Sequence, residues 1–102
     1  MLKLFAWDIY ELTSTSTSVN GIMLRGRIRK FGLKNKRNIL AENTEDIDNG
    51  VRFAIPAGED ASLIVAYLHS IIVDALIRKV KENVPNPVLS KLKVNDESRY
   101  TL

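Results

Sequence analysis

Cysteine is missing from these 102 residues, and histidine occurs only once. The absence of thiols excludes disulfides, thiol nucleophiles and thiolate metal sites, and makes a reducing cytoplasm the simplest compartment to expect. His69 has no second histidine with which to share a metal, so no metal cage is expected. Long hydrophobic runs are also missing. The most apolar stretch, Ala61 to Val80, is broken by His69, Asp74, Arg78 and Lys79, which argues for a soluble helix and against a membrane span. Met1 to Leu12 carries Lys3, Asp8 and Glu11 and no small-residue cleavage site, so it reads as a strand and not as a signal peptide. The length suits a single domain, 1–102, around one hydrophobic core. The net charge of +3 suits a small anion and permits nucleic acid without demanding it.

Taken in order, Met1 to Leu12 alternates with period two and is apolar on both faces, with Phe5, Trp7 and Ile9 on one and Leu2, Leu4 and Ala6 on the other. That pattern predicts a well-covered central strand. Thr13 to Ser18 is a short Ser/Thr tract that fits either an extension of the strand or a polar loop, the solvated loop being the plainer reading. Arg25 to Phe31 is ambiguous, since Leu24, Ile28 and Phe31 share a helical face while Ile22, Leu24 and Ile28 also fit a strand face; a short helix is favoured by Arg29 and Lys30 in the last turn and Gly32 as its stop. Asn38 to Asn43 reads as a strand, Thr44 to Asn49 as an acidic loop ending in the turn pair Asn49-Gly50, and Val51, Phe53 and Ile55 as the inward face of the next strand. Pro56 and Gly58 end it. Glu59, Asp60 and Ser62 open a long helix running to about Asn83, with Ile64, Leu68, Ile71, Ile72 and Ala75 towards the sheet. Pro85 and Pro87 stop that helix, and Val88, Ser90, Leu92 and Val94 alternate as a final strand. The order strand, helix, two strands, helix, strand predicts an α+β fold of the ferredoxin-like split βαβ kind, an antiparallel sheet with two helices on one face.

The stretch Val19-Asn20-Gly21-Ile22-Met23-Leu24-Arg25 combines a strand exit, a glycine turn and a cation, and is a candidate anion cradle. Gly21 permits a left-handed turn, so that amide N–H groups from Ser18 to Met23 can converge on one concavity. Arg25 adds a planar charged fork suited to phosphate. In these residues the chain resembles the acylphosphatase family, whose phosphate loop reads Val-Gln-Gly-Val, a variable residue, usually Phe, then Arg. The likeness is clearest from Val19 to about Gly58. Asn20 stands for the family's glutamine, Leu24 for its aromatic residue, and Thr17 for a glycine. The family also has an asparagine eighteen residues after the arginine, where Asn43 falls. Phe31-Gly32-Leu33 resembles the Leu-Gly-Leu that closes the family's first helix but comes about four residues early, which leaves Asn38 as a competitor for that place.

The resemblance implies hydrolysis of the carboxyl-phosphate bond of small acyl phosphates, without metal or cofactor, by in-line attack of water. Arg25 and the amides of Val19, Asn20, Gly21 and Ile22 would hold the phosphoryl oxygens, and Asn43 would orient the water. A non-catalytic relative of the same fold, binding an anion or a partner, is the alternative. An RNA-binding ferredoxin-like module is a third class, because Arg25, Arg27, Arg29, Lys30, Lys34, Lys36 and Arg37 place seven cations in thirteen residues, with Phe5, Trp7 and Phe53 as candidate stacking aromatics. Glu42, Glu45, Asp46 and Asp48 are read as solvated and His69 as structural. Ala66, Val73 and Ile77, with Val80 nearby, make a second apolar row on the long helix, from which a homodimer through that helix is expected.

Overall fold

The computed structural model describes residues 6–19, 21–37, 39–44 and 48–85, and for Asn43 the backbone only. Six elements follow the expected order: β1 (Ala6–Thr13), α1 (Leu24–Lys34), β2 (Leu40–Asn43), β3 (Gly50–Pro56), α2 (Ser62–Ile71) and β4 (Leu76–Pro85). The strands form one antiparallel sheet in the order β2-β3-β1-β4, compatible with a ferredoxin-like arrangement. β1 is central and buried on both faces, as its two-sided apolar alternation requires.

One face of the sheet carries the main core. Tyr10 and Leu12 of β1, Ala41 of β2 and Val51, Phe53 and Ile55 of β3 pack with Leu24 and Ile28 of α1 and Ile64 and Leu68 of α2. The alternate residues Trp7, Ile9, Leu40 and Ala54 form a separate apolar cluster, joined by Val80 and Val84 of β4. Glu11 and Arg52 are cross-strand partners in the same alternate row and form an ion pair at 2.7 Å.

The long helix to Asn83 is not what forms. α2 ends at Ile71, Ile72 is already extended at φ −127° and ψ 101°, and the chain turns into β4. The β-branched run Ile71-Ile72-Val73 loses side-chain freedom in a helix. Asp74 is claimed by a distant loop, and Ile77 reaches the main core from a strand beside Leu12. The apolar row expected along that helix is therefore dispersed: Ala66 lies on α2, Val73 in the turn at 90% exposure, and Ile77 and Val80 on β4 against different clusters. A homodimer through a long helix loses its basis. The strand expected at Val88 to Val94 lies outside the described residues, as do Phe5, Asn20, Asn38, Glu45 and Asp46.

α1 also differs from expectation, because it continues through Gly32 to Lys34. Gly32 does not stop the helix. It lets the Arg37 carbonyl and Ile39 approach, since a Cβ there would stand 3.0 Å from the Arg37 oxygen and 3.3 Å from the Ile39 side chain. At the start of α2 the N-cap position is Ala61, without a side-chain cap, and the expected acidic capping reduces to a local turn in which Asp60 accepts the Ser62 N–H at 2.9 Å.

Asp8, buried on β1, joins the loop after β3 to the bulge in β4. Its carboxylate accepts the Gly58 N–H at 3.3 Å and the Asn83 N–H at 3.0 Å, the latter where β4 bulges and Asn83 is left-handed at φ 56°. Lys79 stands 3.7 Å away as its counter-charge. Asp8→Ala should cost about 2 kcal/mol in denaturant unfolding, because both N–H groups lose a charged acceptor.

Candidate functional site

Between β1 and α1 the chain makes a compact turn whose hydrogen bonds are largely internal. The Ile22 N–H donates to the Ser18 carbonyl at 3.2 Å, Leu24 N–H to the Val19 carbonyl at 3.0 Å, and Gly21 N–H to Ser18 Oγ at 3.0 Å. The Val19 N–H donates to Asn49 Oδ1 at 2.9 Å. The left-handed residue is Met23, at φ 55°, and not Gly21 as the sequence suggests. Gly21 serves instead for close approach, its Cβ position lying 3.2 Å from Ser18. Amides expected to face a phosphate are in this state engaged with the chain itself.

Asn49 secures this turn. Left-handed at φ 51° in the β2–β3 hairpin, it donates from Nδ2 to the Ser14 and Thr17 carbonyls at 2.6 and 2.8 Å while Oδ1 accepts from Val19. The hairpin is closed by the Thr44 N–H to the Gly50 carbonyl at 3.1 Å. The last residue of β2 is Asn43, paired with Val51. The β1–α1 turn that leads into Arg25 and the strand end that carries Asn43 are therefore brought to the same end of the sheet.

Arg25 lies half-buried in the first turn of α1. The helix sequence Leu24 to Lys34 contains Arg25, Arg27, Arg29, Lys30 and Lys34 and no acid. None of these five forms an ion pair among the described residues, whereas Arg37 reaches Glu59 at 3.7 Å. Cations in the first turn also oppose the positive end of the helix dipole, so the potential here favours an anion.

The Ser/Thr tract does grip an anion, the chain's own. Ser14 Oγ and Ser16 Oγ donate to Asp74 Oδ1 at 2.9 and 2.7 Å, and Thr15 N–H, Thr15 Oγ1 and Ser16 N–H donate to Oδ2 at 3.2, 3.0 and 3.2 Å. Donation from Ser16 and Ser14 above all holds the Asp74 carboxyl well below its ordinary value of 3.8. A depressed folded-state value means that this stabilisation is complete above the unfolded value and fades as pH falls through the folded one. The melting difference between wild type and Asp74→Asn should thus be constant near neutrality and shrink under acid conditions below 3.8. A difference that grows on acidification would refute the assignment.

No family model, curated protein or solved structure matches the chain. Trp7 and Phe53 are both 0% exposed and belong to different clusters, so the sheet offers neither ring to a base and the stacking mode of RNA recognition is not available to them. Single-stranded RNA should accordingly leave Trp7 emission unchanged. Among the described residues no group of acidic or histidine side chains could hold a metal, and no helix is long and apolar enough to cross a membrane. His69 links Nε2 to the Ala75 carbonyl at 3.0 Å across the turn after α2, a structural contact. Sequence reasoning missed Asn49 as a lock and Asp74 as a ligand. The first was signalled by an asparagine before glycine, the second only by donors repeated along the Ser/Thr tract, with nothing to say which acid they serve.

Proposed function

We propose that this is a ferredoxin-like domain of acylphosphatase type that binds a phosphate-sized anion through Arg25 and does not turn it over. The observation carrying this reading is the engagement of the Val19, Gly21, Ile22 and Leu24 amides within the turn. Phosphoryl transfer without metal depends on donors already aimed at the developing charge. Here they would first have to be released from Ser18, Val19 and Asn49. Arg25, with no ion-pair partner among the described residues, is the remaining grip.

Hydrolysis of acyl phosphates is the second reading, supported by the motif spacing and by the convergence of the Arg25 turn and Asn43 at one end of the sheet. One pair of measurements separates the two. Inorganic phosphate should raise the melting temperature of the wild type and not of Arg25→Ala, about 1.4 kcal/mol of stabilisation being expected at ten times the dissociation constant. Benzoyl phosphate in EDTA should be cleaved no faster than in buffer. Turnover that vanishes in Arg25→Ala would establish the hydrolase instead. Asn43→Ala should then lower kcat with phosphate affinity intact, and Asn38→Ala should be mild. Absence of any phosphate effect on melting would remove both readings.

A further inference from the structure

We propose that the groove between α1 and α2, lined by Ile22, Met23, Gly26, Arg27, Lys30 and Tyr67, binds a small flat organic anion, an aromatic phosphate or carboxylate, at a site separate from Arg25. Its volume of about 320 Å³ lies in the range of small-molecule sites. One wall is apolar: Ile22 is half-buried, Met23 is 74% exposed, and the Tyr67 ring is braced by stacking on Phe31 at 4.5 Å between centroids. The other wall is cationic. Arg27 is oriented by donating Nε to the Ile22 carbonyl at 2.8 Å, the only hydrogen bond its side chain makes among the described residues, where the Lys30 side chain has neither a hydrogen bond nor an ion pair.

Gly26 is the observation that turns this groove into a site. A glycine inside an exposed helix is costly, and nothing in the packing requires this one: a Cβ there meets no atom within 4 Å, and its φ is not left-handed. Gly32, in the same helix, is forced by the Arg37 carbonyl at 3.0 Å. What Gly26 does is leave the floor of the groove open between two cations. An apolar wall beside paired charges fits neither a bare inorganic ion nor a neutral hydrocarbon, and is complementary to a ligand with an anionic head and a flat body. Met23, held left-handed with its side chain outward, presents an adaptable surface to that body. Arg25 lies about 140° around the helix from Lys30, on the other flank, so the two sites are distinct.

The test is fluorescence titration with 1-naphthyl phosphate, with inorganic phosphate and 1-naphthol as the two halves of the probe. The whole probe should bind at least tenfold more tightly than either half. Gly26→Leu, which fills the floor and adds helix propensity, should weaken binding at least tenfold without lowering the melting temperature. Lys30→Ala should weaken it several-fold, and Arg25→Ala should leave it within twofold of wild type. Unchanged binding in Gly26→Leu, or equal affinity for inorganic phosphate and the whole probe in Arg25→Ala, where the other anion site is removed, overturns the proposal. So does loss of the probe in Arg25→Ala, which would place it at the β1–α1 turn and leave the anion-binding reading of Arg25 standing. Competition by a single-stranded oligonucleotide at far lower concentration, steep in salt, would also overturn it in favour of a polyanion on the basic helix.

Discussion

Asn49→Ala should lower the unfolding free energy by about 3 kcal/mol, one of the largest losses from any single polar side chain here. Three part-buried hydrogen bonds end with it: the Val19 N–H loses its acceptor, and the Ser14 and Thr17 carbonyls lose their donor. The backbone adds to the cost, because alanine is strained at φ 51° where asparagine is tolerated. Asn49→Gly, which relieves that strain and loses the same bonds, should be less damaging by about 1 kcal/mol. Chemical denaturation of the two variants checks the order, and equal losses would show that the side-chain bonds carry the whole effect. The same variants bear on function. If the turn before Arg25 is held shut by Asn49, releasing the Val19 amide should change phosphate affinity at unchanged Arg25, measured on the fraction still folded.

Two glycines in α1 should respond with opposite sign. Gly32→Val is expected to destabilise by about 3 kcal/mol, because its Cβ would meet the Arg37 carbonyl oxygen at 3.0 Å and Ile39 at 3.3 Å. That oxygen cannot easily withdraw, since Arg37 N–H is itself bonded to the Gly32 carbonyl at 2.8 Å. Gly26→Ala meets only open space and should stabilise by about 0.5–1 kcal/mol through helix propensity. Melting curves of the two variants distinguish a packing glycine from one retained for another reason. Destabilisation by Gly26→Ala would show that Gly26 is structural and would weaken the case for the groove.

How these elements could be read beforehand depended on whether their signal was local. Alternation with apolar residues on both faces placed β1 in the centre, and Val51, Phe53 and Ile55 turn inward as their spacing requires, because period two has one solution once a face is buried. Asn49-Gly50 marked the hairpin, since few residues accept a positive φ. The segment from Ile72 to Pro85 was not legible, for its apolar residues satisfy a helical face and a strand face alike. Only tertiary structure decides between them: β1 offers a free edge for pairing, Leu12 a neighbour for Ile77, and the tract at Ser14 to Ser16 a set of donors that draws Asp74 out of any helix. The same holds for the candidate sites. A motif spacing pointed to Arg25 and Asn43, yet whether the intervening amides are available to an anion depends on Asn49, thirty residues after Val19, and on where Ser18 directs its hydroxyl. Hydrogen bonds between residues so far apart in the chain leave no periodicity behind, and neither does a groove closed by Tyr67 against α1. They exist only once the two helices have packed on one sheet face and brought their side chains within reach.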